Sequence, residues 1–213
     1  MKLPAAVTAS ALLLSLAACT QRSDTVAHDL ATAPADAFMA AVAAHCGQAY
    51  AGKVVEDTPA PTGKDPFAGQ RLVMHVRGCA DPAHELRIPF HVGDDHSRTW
   101  VLTRTATGLR LKHDHRHADG SPDAITLYGG DSTPPGTAER QQFPADTDSV
   151  AMFRRADMLA STHNTWAMEI DPDQTFVYEL TRPDGRRFRV QFDLSKPVDL
   201  PPAPWGDEKA PAP

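Results

Sequence analysis

From residue 50 onward, apolar and polar residues alternate in short runs, the two-residue period of half-buried β-strands. The runs predict strands near 50–56, 70–78, 85–92, 98–105, 108–117, 123–129 and 138–144, then over 165–171, 175–181 and 186–194. In the last of these Phe188, Val190, Phe192 and Leu194 face one way, and Arg187, Arg189, Gln191 and Asp193 the other. One sheet face is therefore dry and one wet. Proline- and glycine-rich stretches separate the runs, and Pro183-Asp184-Gly185 has the residue types of a tight turn. Two segments change period. Over 35–48, Phe38, Met39, Val42 and Cys46 form a helical stripe, with Asp36 placed to cap it and Gly47 to end it. Over 149–163, Met152, Phe153, Ala156, Leu159 and Ala160 share one side, with Asp148 or Ser149 as cap.

The pattern thus predicts a mainly β chain: an antiparallel meander of about ten strands, with an N-terminal helix and one helix inserted late. A meander of this length must cover its edges, and closing into a barrel does so. A curved open sheet or a two-sheet sandwich is the alternative. This layout resembles the calycin group, small antiparallel barrels with a ligand cavity, and the chain has the general look of secreted proteins of Gram-negative bacteria. The first strand reads AYAGKVVED and lacks the GxW signature of lipocalins, so that family's ligand residues do not carry over.

The segment 98–117, RTWVLTRTATGLRLKHDHRH, holds the candidate chemistry. In its second arm Leu109, Leu111, His113, His115 and His117 lie on one face, so a core-facing row becomes a row of imidazoles. A turn at 105–108 sets Trp100 opposite His113, Leu102 opposite Leu111 and His96 opposite His117. The face is dry near the turn and polar at the far end, as in a cavity with a polar mouth. Trp100, Leu102, Leu109, Leu111 and His113 are the expected ligand-lining residues. His96, His115 and His117, beside Asp94, Asp95, Asp119 and Asp123, are the candidate metal set. Histidines two apart on a strand are about 6.6 Å apart, within reach of one ion, and zinc suits imidazole with carboxylate. In that reading Asp94 or Asp95 would act as base on a metal-bound water. By alternation His75 and His91 should point to solvent. Gly129-Gly130-Asp131-Ser132 has the look of a hydrolase turn, but prolines rather than a helix follow it, which spoils a nucleophile elbow.

The first residues, MKLPAAVTASALLLSLAACT, are a secretory signal, too short for a lasting membrane span. Leu16-Ala17-Ala18-Cys19 resembles the lipobox of bacterial lipoproteins. That resemblance implies cleavage after residue 18, acylation of Cys19 and, with Thr20 following, anchoring in the outer membrane facing the periplasm, or at the cell surface. Residues 19–34 then read as a tether, 35–200 as the domain and 201–213 as a disordered tail. Losing residues 1–18 removes one basic residue and makes the chain one unit more acidic than its formal −6, which argues against a nucleic-acid partner. Cys46 and Cys79 remain, an even pair in an oxidising compartment. They form a disulfide worth about 3–4 kcal/mol in the chain-entropy model, or two separate buried thiols.

The sequence therefore predicts a lipid-anchored protein that binds a small apolar or amphipathic molecule. A metal-binding protein or metal-dependent enzyme built on the three histidines is the second reading. A structural envelope lipoprotein with a packed interior is the third. The binder is favoured over the enzyme, and no phosphate loop or paired-cysteine metal knuckle is present.

Overall fold

A computed structural model describes residues 33–133 and 136–207. Cys19, its signal and most of the tether lie outside the described residues. The ten strands are β1 (Ala49–Thr58), β2 (Leu72–His75), β3 (Glu85–Val92), β4 (Asp95–Arg104), β5 (Leu109–His115), β6 (Tyr128–Asp131), β7 (Arg140–Pro144), β8 (Thr165–Asp171), β9 (Thr175–Thr181) and β10 (Arg187–Val198). They form one antiparallel sheet in the order β6-β5-β4-β3-β2-β1-β10-β9-β8-β7. Consecutive strands pair, and β10 returns to β1, so the meander curls into a nearly closed barrel.

The remaining seam lies between β6 and β7. Two backbone hydrogen bonds bridge it: Thr133 N–H to Gln142 C=O at 3.0 Å, and Asp146 N–H to Gly129 C=O at 2.8 Å. Glycine makes this approach possible. A Cβ on Gly130 would sit 1.9 Å from the Pro144 carbonyl oxygen, and one on Gly129 as close to that of Leu111. Gly130 is thus the closure device, Gly129 lets β6 lie close on β5, and Ser132 spends its hydroxyl accepting the Leu109 N–H at 3.0 Å.

Helix α1 (Pro34–Ala43) buries Phe38, Met39 and Val42 in the barrel core. Its N-cap is Ala33 with Pro34 in the first turn, not Asp36. Proline's fixed φ starts a helix without losing a needed N–H. Asp36 instead pairs with the Arg104 guanidinium at 2.5 Å, docking α1 beside the β4–β5 turn. Cys46, just past the helix, forms a disulfide with Cys79. Helix α2 (Thr147–Arg155) is shorter than its periodicity suggests. Asp146 caps it, accepting the Ser149 N–H at 2.8 Å. Asp157, at φ 57°, breaks it, and a 3-10 turn (Leu159–His163) completes the crossing to β8.

The predicted hairpin register holds: Trp100 pairs with His113, Leu102 with Leu111 and Arg98 with His115. Beyond Arg116, whose N–H still reaches the Ser97 carbonyl, the chain peels away, and the His117 N–H bonds Ser121 instead of facing His96.

The tail departs from expectation over 201–207. This stretch lies against the barrel, with the Trp205 N–H donating to the His96 carbonyl at 3.0 Å and Pro204 buried. Proline and tryptophan give it apolar surface to bury and little backbone entropy to lose.

Candidate functional site

The barrel interior divides along its axis. At the β4–β5 turn end, Leu102, Leu109 and Leu111 are fully buried in the same apolar cluster as the side chains of α1. They pack in that cluster and are not among the residues that line the cavity at the other end. Toward the other end lies a cavity of about 240 Å³. Of the expected lining residues it keeps Trp100 and His113, and it adds His115 from the expected metal set.

The other walls come from elements distant in sequence. Strand β9 supplies Tyr178, β6 Tyr128, β8 Trp166, and the α2 crossing Phe153, Ser161 and Asn164. The β1–β2 loop sends in Phe67, which sits 4.8 Å from Phe188 and stacks at 6.2 Å on Phe90. Phe90 continues the column onto Trp100 (5.0 Å, 17°), and Trp100 onto Tyr178 (4.6 Å, 20°). Facing it, His113 and Tyr128 stack at 4.6 Å and 14°, with Trp166 5.0 Å from the imidazole. Near-parallel rings of this kind present flat apolar faces with few polar atoms.

The polar atoms of the lumen satisfy one another. His113 Nδ1 lies 3.1 Å from the Tyr128 carbonyl, which can only accept, so Nδ1 carries the proton. Nε2 then accepts from the Tyr178 hydroxyl at 2.9 Å. Burial pushes His113 down to about 3, so the ring is neutral. Burial also pushes the Tyr178 phenol well above its ordinary value, and Tyr128 up to about 12. His115 Nε2 meets the Tyr128 hydroxyl at 3.1 Å, and burial with the nearby Arg98 charge lowers its pKa. Arg98 lines the polar end and is paired through Nη1 with Asp95 at 2.6 Å. The cavity is thus aromatic, carries neutral imidazoles and phenols, and is lined by two guanidiniums, Arg98 paired with Asp95 and Arg186 paired with Asp57.

The expected metal set does not assemble. Among the described residues no group of three or more His, Cys, Asp or Glu side chains is arranged to hold an ion. His96 Nδ1 contacts His91 Nδ1 at 2.7 Å on the outer face, His115 turns into the lumen, and His117 sits in the following turn. The β3–β4 bulge between Phe90 and Val92 and the early end of β5 separate them. His75 and His91 do point outward, as alternation requires, yet they are 1% and 2% exposed.

The outer face of β8–β10 is not a simple solvated stripe either. Glu179, 2% exposed, accepts from Arg140, Arg187 and Arg189, and the latter two were expected only to face water.

The chain matches no protein-family model, no curated protein and no solved structure.

Proposed function

We propose that this protein is a lipid-anchored, calycin-like binder of a small, flat, largely uncharged aromatic molecule, held in the barrel lumen. The single observation that carries the reading is the 240 Å³ cavity walled by near-parallel rings. Its volume sets the ligand size. Cavities of about 150 Å³ take benzene, and drug-sized ligands need about 300 Å³ or more, so a bicyclic aromatic fits. The internal pairing of His113, Tyr178 and Tyr128 sets the charge. A ligand carboxylate would have to compete with Asp95 for Arg98 or with Asp57 for Arg186, whereas a hydroxyl needs only one phenol or imidazole as partner.

The test is calorimetric titration with 2-naphthol. The parent should bind it with a micromolar Kd, and Ile125→Trp, which fills the lumen from one wall, should weaken it at least tenfold. No heat of binding in a folded parent would overturn the reading.

The envelope location rests on Leu16-Ala17-Ala18-Cys19 and on the fit of the Cys46–Cys79 disulfide to an oxidising compartment. Metabolic labelling with palmitate should mark the parent and not Cys19→Ser. Equal labelling of both would exclude Cys19 as the anchor.

A further inference from the structure

The residues that follow β10 run across the outside of the barrel. Ala49 of β1 pairs with His75 on one side and Val198 on the other, so the segment leaves the sheet level with His75 and one strand away from it. At its far end the Trp205 N–H bonds the His96 carbonyl, and the indole meets the His96 ring edge-on at 6.2 Å. Arg77 donates to the Asp207 carboxylate at 3.4 Å and to the Asp207 carbonyl at 3.2 Å. Gly206 closes against Gly120, where an added Cβ would lie 3.1 Å from the Gly206 Cα. Both glycines have left-handed φ, +82° and +84°, so the contact is specific to glycine on each side.

The outer face of β2 and β3 carries His75 and His91, both buried, and the segment holds their neighbours: His96, which meets His91, and Arg77, whose charge acts on His75. His75 Nδ1, His75 Nε2 and His91 Nε2 have no hydrogen-bond partner. His91 Nδ1 is shared with His96. The charged groups facing the pair are Arg77 after β2, Asp95 and His96 on β4, and Asp207 on the segment itself. Neither carboxylate is free to neutralise an imidazolium, since Asp95 is held by Arg98 and Asp207 by Arg77. A proton added to either ring would be buried beside a guanidinium.

We propose that residues 199–207 form an acid-released strap: proton uptake by His75 and His91 detaches it from the outer face of the barrel. Burial first, then the Arg77 charge, holds His75 at about 4 in the docked form. Burial and the neighbouring His96 and His75 hold His91 at about 3. Once the strap lifts, both rings reach water and return toward the ordinary value of about 6.5. Docking is therefore fully favoured above that value, and loses ground as pH falls below it, because the open form binds the extra protons. Between pH 7.5 and 5 each histidine shifts the equilibrium about 30-fold toward release, and the two together approach a thousandfold. A surface segment held by a few bonds opens more easily than the barrel does, so a shift of that size acts on the strap first.

The strap carries one of the three tryptophans, and the other two, Trp100 and Trp166, lie inside the barrel. The test is fluorine NMR of the full chain labelled with 5-fluorotryptophan. The Trp205 resonance, assigned with Trp205→Phe, should move to the solvent-exposed position between pH 6.5 and 5, with Trp100 and Trp166 unmoved. The transition should take up close to two protons in the parent and one in His91→Asn. In His75→Leu/His91→Leu it should vanish. A Trp205 resonance that stays fixed down to pH 4.5 would overturn the proposal, as would one that moves only together with the two barrel tryptophans. Both of those outcomes are read from the parent, so the proposal stays open to refutation if the double variant does not fold.

Discussion

His113 of β5 and Tyr178 of β9 meet at 2.9 Å across the barrel lumen, although 65 residues separate them. The bond joins opposite walls and marks the boundary between the packed half of the interior and the hollow half. Leu111 lies on the packed side, and the Tyr128, Trp166 and Phe153 walls on the hollow side. Its direction follows from the His113 tautomer, since the Tyr128 carbonyl takes the Nδ1 proton and leaves Nε2 to accept from Tyr178.

That pair predicts a pH signature. His113 sits at about 3 in the fold and near 6.5 when unfolded, so its contribution is complete above 6.5 and fades as pH falls toward 3. Between pH 6.5 and 4.5 the loss amounts to about 2–3 kcal/mol. Urea unfolding of the parent and of His113→Gln at both values should show a steeper decline in the parent. Parallel declines would mean that His113 is not held neutral. At pH 7, Tyr178→Phe should cost about 1–3 kcal/mol by stranding Nε2.

Glu179 behaves in the opposite direction. Burial alone would raise its pKa, but hydrogen bonds from Arg140 and Arg189 bring it below the ordinary value. Its stabilisation is present above the unfolded carboxylate value and is lost as pH falls through the folded one. Glu179→Gln should destabilise the barrel at pH 7 by about 2–3 kcal/mol. That is less than the 3–5 of a fully buried broken pair, because the three arginines keep some water. The deficit should shrink by pH 3. A deficit that does not depend on pH would contradict this assignment.

The β6–β7 seam predicts a packing effect. Gly130→Ala places a methyl against the Pro144 carbonyl, and the seam must spread. The expected loss is about 1–3 kcal/mol, read as a fall in Tm of about 3–10 °C. An unchanged Tm would show that the seam is looser than the geometry states.

Much of the fold was legible because alternation and turn chemistry are local. The Trp100–His113 register follows from the hairpin turn, closed by the Thr105 N–H on the Gly108 carbonyl at 2.8 Å. The cavity was only half legible. Trp100 and His113 announce themselves in the hairpin, whereas Tyr178, Trp166 and Phe153 arrive through barrel closure, which no local pattern encodes. Alternation placed Leu102, Leu109 and Leu111 on the inner face correctly, but it does not say where along the barrel packing ends and space begins. His75 and His91 show the converse: their outward direction was readable, and their burial was not. Their neighbours Arg77 and His96 are in turn held by Asp207 and Trp205, from a proline-rich stretch with no periodicity to betray a docking role.

The most direct measurement is the structure of the protein crystallised with 2-naphthol. The account predicts one molecule in the lumen, its ring plane parallel to Trp100 or Tyr128 and its hydroxyl within 3.2 Å or so of a phenol or imidazole in the cavity. Naphthol found only on the barrel exterior, or a lumen filled by rearranged side chains, would contradict it.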